Sequence, residues 1–313
     1  MKNTRYPLIT LKGIAMGAAD VVPGVSGGTI AFITGIYEEL LHSIKSIDLK
    51  ALKMLFTGKF KAFWKKINGN FLLALVLGIG ISIFSLARLM TWLLETHPIS
   101  LWSFFFGLIV ASVFLVARDV KWNAVNVIGA LAGAVAAYMI TALSPASTPD
   151  TWWFIILSGA IAICAMILPG ISGSFILLLM GKYEFIMAAV GTLDLKVIGL
   201  FAIGAIAGIV SFSHLLTWLL KHHRNITIAL LTGFMVGSLN KIWPWKQVLE
   251  TYVDGHGAVQ PFKEANVLPD TYAEITGSDP QLWPAIVCCV LGLLLIAVIE
   301  GAAKRLAKKA KSE

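Results

Sequence analysis

The chain has 313 residues, of which 58% are hydrophobic and 13% charged, with a formal net charge of +8. A soluble domain carries roughly 25% charge, so an ordinary soluble globule is excluded, and the basic residues sit in short segments between apolar blocks, which argues against a nucleic-acid partner. Cys164, Cys288 and Cys289 lie inside apolar stretches without metal-ligand or disulfide spacing, so they read as free thiols and no metal or cofactor is expected.

The opening MKNTRYPLITLKG lacks a compact apolar core ending at a small-residue cleavage site and reads as mature sequence. Residues 13–44 are apolar but too long for one span, and they break at Val22-Pro23-Gly24-Val25-Ser26-Gly27-Gly28. Lys2, Arg5 and Lys12 precede this stretch, and Lys45, Lys50, Lys53, Lys59, Lys61, Lys65 and Lys66 follow it. Basic flanks mark the cytoplasmic side, so the chain must enter the membrane and return. The arm before the break makes a helix of only ~15 Å, half the ~30 Å hydrocarbon core, and a re-entrant hairpin fits better than two spans. Residues 46–70 interleave Lys with Leu, Phe and Trp, which suits either an amphipathic surface helix or a plain basic loop.

Blocks 71–94, 99–117 and 124–143 then cross in alternation. The second interrupted stretch, 152–191, begins and ends outside, and 197–220 returns to Lys221-His222-His223-Arg224. Block 226–239 exits to a 240–281 loop with three Lys and six Asp or Glu, and 282–299 leads back to Lys304, Arg305, Lys308, Lys309 and Lys311. Nineteen of the 25 Lys and Arg fall on the cytoplasmic side of this scheme, with both termini inside.

The broken stretches align with each other. Residues 23–40 and 169–186 share eight of 18 positions, including Pro, Gly, Ser, Tyr and Glu, at an offset of 146. The offset falls to 126 further on, where 78–113 and 204–239 share 12 of 36 positions. One hairpin plus three spans is an odd number of crossings, so the second copy is inserted upside down. The expected fold is an all-α polytopic membrane protein of two inverted-topology repeats, 1–147 and 148–313, each a re-entrant helical hairpin plus three transmembrane helices. Transporters of this plan place their sites near the midplane at broken helices.

The helix after each break starts near Ser26 or Ser172, and its first N–H groups and dipole suit an anion such as phosphate. Gly24, Gly27, Gly28, Gly170 and Gly173 allow close backbone approach, and Ser26, Thr29, Ser172 and Ser174 add hydroxyls. The plainer reading is a helix-breaking turn with Ser as N-cap. Ionisable residues at depth usually face a cavity: Arg88 could neutralise an anionic head group, Asp20 is a candidate both for the substrate site and for proton coupling, and Glu38, Glu184 and His214 could carry protons or ions. The plainer readings are snorkelling for Arg88, an interfacial place for Glu38 and Glu184, and simple packing for His214.

The run from Gly17 to Thr29, the Leu168-Pro169-Gly170-Ile171-Ser172-Gly173-Ser174 repeat, Ala87-Arg88-Leu89, and Gly237-Ser238-Leu239 with Trp243-Pro244-Trp245 resemble the PopT-type undecaprenyl-phosphate translocases, over roughly residues 8–300. The resemblance implies a multi-pass protein of the bacterial cytoplasmic (inner) membrane that returns undecaprenyl phosphate from the outer to the inner leaflet for cell-envelope synthesis. Its partners would be that lipid and the bilayer, and a homo-oligomer is compatible with it. Two other classes compete. Undecaprenyl-diphosphate phosphatases carry a PG-x-S-R-S-G-type motif, but the Arg position here is Gly27 or Gly173 and the paired acidic motif is missing. A small-anion transporter would need a site closed to lipid.

Overall fold

The computed structural model describes residues 5–21, 26–143, 148–253 and 259–312, with the side chains of 21, 52, 86–88, 91, 252–253, 259–262 and 299–312 outside the described set. The chain is mostly helical. The first half holds α1 (Arg5–Val21), α2 (Gly27–Ile33), α3 (Tyr37–Lys45), α4 (Leu49–Phe56), α5 (Phe60–Lys66), α6 (Gly69–Thr96), α7 (Pro98–Ala117) and α8 (Ala124–Ala142). The second holds α9 (Trp152–Ile167), α10 (Gly173–Leu179), α11 (Tyr183–Gly191), α12 (Leu195–His222) and α13 (Arg224–Ser238). Strands β1 (Lys246–Val253) and β2 (Val259–Asn266), α14 (Pro269–Thr276) and α15 (Leu282–Ser312) complete it.

Among the described residues α7, α8 and α12 are each long and apolar enough to cross a membrane. At 28 residues α12 is about 42 Å long, enough to cross with tilt. Helices α10 and α11 qualify only as a pair, and they are bent by 111°. Together these elements make a polytopic membrane protein.

The breaks have local causes. Leu168 precedes a proline, is forced out of the α region and sits at ψ 130°. Gly170 follows at φ +94°, where a side chain is strained, and Ser172 restarts the helix by accepting from the Phe175 N–H at 3.1 Å. The next bend comes at Gly181, φ +59°, whose counterpart is Gly35, φ +72°. Both close a helix with the same pattern of backbone bonds, Ile36 N to Ala31 O and Lys182 N to Leu177 O. The glycine shared by the two broken stretches is therefore a left-handed cap.

The chain doubles back after α1: Lys12 Nζ donates to Thr34 O at 2.7 Å, and Arg5 pairs with Glu39. Residues 46–70 form the two short helices α4 and α5, with Leu49, Phe56 and Phe60 exposed. Asp48 caps α4 and pairs with Lys66 of α5.

Four helix crossings hold the molecule: α1 on α6, α9 on α12, α7 on α15 and α8 on α13. Each is lined by small residues that let backbones touch, as membrane helices require. A side chain at Gly13 or Gly78 would strike the opposing backbone in the first crossing, and one at Gly159 or Gly204 would do so in the second. Gly107 lies against the Cys289 carbonyl and Gly292 against Phe104, while Gly233 lies against Ala130 and Gly133 against Leu230. The last two crossings join the third long helix of each half to the second of the other. They also give the third helices a register, Gly133 with Gly292, that their sequences do not display.

The expectation of an all-α chain needs one correction. The 240–281 loop is folded, with β1 and β2 paired antiparallel from Lys246 opposite Asn266 to Val253 opposite Val259. Trp243 and Trp245 anchor it, donating from their ring nitrogens to Val267 O and Pro280 O, both at 2.8 Å.

Candidate functional site

The two broken stretches meet. Ser26 Oγ, fully buried, donates to Met166 O at 2.8 Å. The Gly170 N–H donates to Thr29 Oγ1 at 2.8 Å. A Cβ on Gly28 would lie 2.6 Å from Ile167 O and 2.8 Å from Met166 O, so only glycine lets α2 approach the end of α9 this closely. Ser238, from the Gly-Ser-Leu segment, closes the other side: its Oγ would be 2.7 Å from a Cβ on Gly170.

The helix starts at this junction differ. In α2 the Gly27 N–H donates to Asp20 Oδ1 at 2.7 Å, Gly28 N to Ser26 Oγ at 3.0 Å, and Thr29 N to Ser26 O at 2.9 Å. An internal carboxylate thus already sits where the sequence suggests an external anion. In α10 Ser172 caps Phe175 and its hydroxyl lies 2.9 Å from that of Ser174. The residue equivalent to Asp20 there is Met166. The two ends are alike in backbone and unlike in charge. Gly173 faces Ala162 O, 2.7 Å from where its Cβ would be, and Gly27 faces the Asp20 carboxylate at 2.5–3.0 Å. At Gly173 the backbone leaves no space for the arginine of the phosphatase motif, whereas at Gly27 the Asp20 side chain would have to move.

The remaining candidates are dispersed. Gly24 lies outside the described residues, and Arg88 lies on α6 with its side chain outside them. Glu38 is exposed and pairs with Arg224 at the start of α13. Glu184, on α11, has one carboxylate oxygen buried without a hydrogen-bond partner. His214 is exposed on α12 with Nδ1 2.8 Å from Val210 O. The sequence reading did not single out Lys182, which is 1% exposed and ties the bend between α10 and α11 to Asp150 Oδ1 at 2.6 Å and Thr148 O at 2.7 Å. A lysine beside a turn glycine in an apolar stretch was its only signal. Among the described residues no three His, Cys, Asp or Glu side chains are grouped to hold a metal.

The model of a family described as undecaprenyl phosphate translocase-like matches residues 16–260. A Vibrio cholerae protein named Polyprenyl-phosphate transporter is 48% identical over 304 residues, covering 97% of this chain and 98% of that protein. A Staphylococcus aureus protein of the same name is 34% identical over 253 residues, covering 75% of this chain and 85% of that protein. No solved structure matches the chain. By the extent of the family match and by near full-length identity to a curated relative, the chain belongs to the undecaprenyl phosphate translocase-like family.

Proposed function

We propose that the protein carries a polyprenyl phosphate across the bacterial cytoplasmic membrane, from the outer to the inner leaflet, without breaking the phosphate ester. The observation that carries the substrate is the 48% identity, over 97% of the chain, to a relative named for polyprenyl-phosphate transport. The phosphate binds where the two helix starts meet, around Ser26, Thr29, Ser172 and Ser174. Helix N-termini and hydroxyls can replace its hydration in the membrane interior. The close Gly28 contact and the Thr29–Gly170 bond describe the junction closed, so admission of a phosphate requires the hairpins to part. Asp20 holds the α2 end until then. An arriving phosphate displaces that carboxylate, which takes up a proton and keeps the charge at depth balanced.

Two inverted repeats supply the alternation. Support comes from the element bounds: α2 and α10, and α3 and α11, lie 146 residues apart at both ends, and α6 and α12 lie 126 apart. The 20 residues of difference hold α4 and α5. The ion pairs agree with the assigned faces. Arg5–Glu39, Lys66–Asp48 and Arg224–Glu38 join cytoplasmic segments, while Lys182–Asp150 and Lys241–Glu264 join external ones. In a background without the native cysteines, Ser278→Cys should react with an impermeant maleimide in intact cells and Lys59→Cys should not. Labelling at 59 would overturn the N-in, C-in arrangement.

Transport itself is tested in proteoliposomes holding a fluorescent polyprenyl phosphate. The protein should speed loss of outer-leaflet fluorescence to a membrane-impermeant quencher's protected side, with the ester intact. A rate equal to protein-free vesicles overturns the reading, and release of inorganic phosphate from the lipid diphosphate would point to a phosphatase.

A further inference from the structure

The 240–281 loop carries three lysines, Lys241, Lys246 and Lys263. It is assigned to the external face, where lysine is disfavoured. All three line one cavity of about 330 Å³ between the end of α8, α10 and the β-hairpin. Lys241 Nζ is 3.1 Å and Lys246 Nζ 3.6 Å from the same oxygen, Oε2 of Glu264. One carboxylate therefore serves two ammonium groups and leaves positive charge in excess. Both ammonium groups also lie over aromatic faces, Lys241 4.8 Å from the Phe175 ring centre and Lys246 4.3 Å from that of Trp102. Burial lowers the Lys246 pKa to about 8 despite Glu264, with Lys241 adding to the effect. Burial alone would raise Glu264, but the two lysines outweigh it and hold it below the usual range. The arrangement favours an additional anion.

The same cavity is lined by Leu178 and Leu179 of α10, by Tyr138 of α8 and by Leu143 just after it, the last two 55% and 60% exposed. Cations and exposed hydrocarbon lining one cavity match a lipid with an anionic head. The cavity also borders the junction. Phe175, beneath Lys241, is the residue whose N–H Ser172 caps, and Lys241 follows Ser238, which lies against Gly170.

We propose that this cavity captures the phosphomonoester head of the lipid on the external face, with Lys241 and Lys246 as its phosphate ligands and Glu264 as the internal anion that the head displaces. The proposal rests on the transport reading above. A phosphate offers several oxygens and more than one negative charge, so it can bridge both lysines where a single carboxylate oxygen now does. The neighbouring apolar side chains receive the first units of the chain.

The test is binding of fluorescent polyprenyl phosphate to the purified full chain in nanodiscs, with thermal melting measured in parallel. Lys241→Gln should weaken binding about tenfold, and Lys241→Gln with Lys246→Gln about a hundredfold, the loss of one or two charge-assisted bonds. Glu264→Gln should tighten binding several-fold, because it frees both lysines. That opposite sign keeps the proposal falsifiable even if the double variant fails to fold. Unchanged affinity in the lysine variants, or weakening in Glu264→Gln that tracks a fall in melting temperature, would mean an ion cluster that only anchors the sheet. Displacement by micromolar inorganic phosphate would assign the cavity to free phosphate and overturn its lipid role. Wild-type protein that binds no polyprenyl phosphate would overturn this proposal and the transport reading together, whereas binding that survives loss of both lysines overturns this one alone.

Discussion

Asp20→Asn is expected to slow transport by about tenfold or more while substrate binding stays the same or tightens. The carboxylate accepts from the Gly27 N–H at 2.7 Å, and a charge-assisted bond of this kind contributes about 1.5–3 kcal/mol. Asparagine keeps an oxygen there and preserves the cap, so the fold should survive. What it loses is the charge that competes with a bound phosphate. Without the competitor, release slows by the corresponding factor, about ten- to a hundredfold. Equilibrium binding and transport rate, measured on the same preparation, separate this from a plain binding role. Weaker binding in the variant would show that Asp20 helps hold the substrate instead of expelling it.

Gly28→Ala should destabilise the protein by wedging apart the junction of the two broken stretches. The new Cβ would lie 2.6 Å and 2.8 Å from two carbonyl oxygens of the facing helix end, and backbone cannot swing aside as a flexible side chain does. Overpacking of this kind costs about 1–3 kcal/mol or more. The melting temperature in detergent should fall by about 2–5 °C. Gly80→Ala is the control. It lies in α6 with nothing within 4 Å of the added atom, and alanine favours a helix by about 1 kcal/mol, so the melt should hold or rise. Equal losses at both positions would mean that the α2–α9 contact contributes little.

Much of the architecture was legible because hydrophobic length encodes it directly. The apolar block 99–117 became Pro98–Ala117, and 124–143 became Ala124–Ala142. The caps at Ser26 and Ser172 followed from local chemistry, since a serine before a helix restart has an N–H within reach. Pairing across the chain was not legible. Nothing in the pattern around Ser26 says that its hydroxyl will find Met166, 140 residues on. Asp20 stood out as a charge at depth, but no local pattern says that its carboxylate will accept from the Gly27 N–H seven residues on. The β-hairpin was missed for another reason. The segment was read for charge, and the β-branched and aromatic residues Val248, Thr251, Tyr252 and Val253 ahead of Asp254-Gly255 are a hairpin signal that a search for apolar length passes over.

The exchanged crossings constrain how the protein can be made. Helix α7 finds its glycine-lined partner in α15, and α8 finds its partner in α13. A ribosome delivers α7 and α8 to the bilayer well before either partner exists. Until then the small-residue grooves at Gly107 and Gly133 face lipid, which fills them poorly, or a neighbouring chain. The first half is therefore inserted before it is assembled. The two exchanged crossings can close only once α13 and α15 have been made.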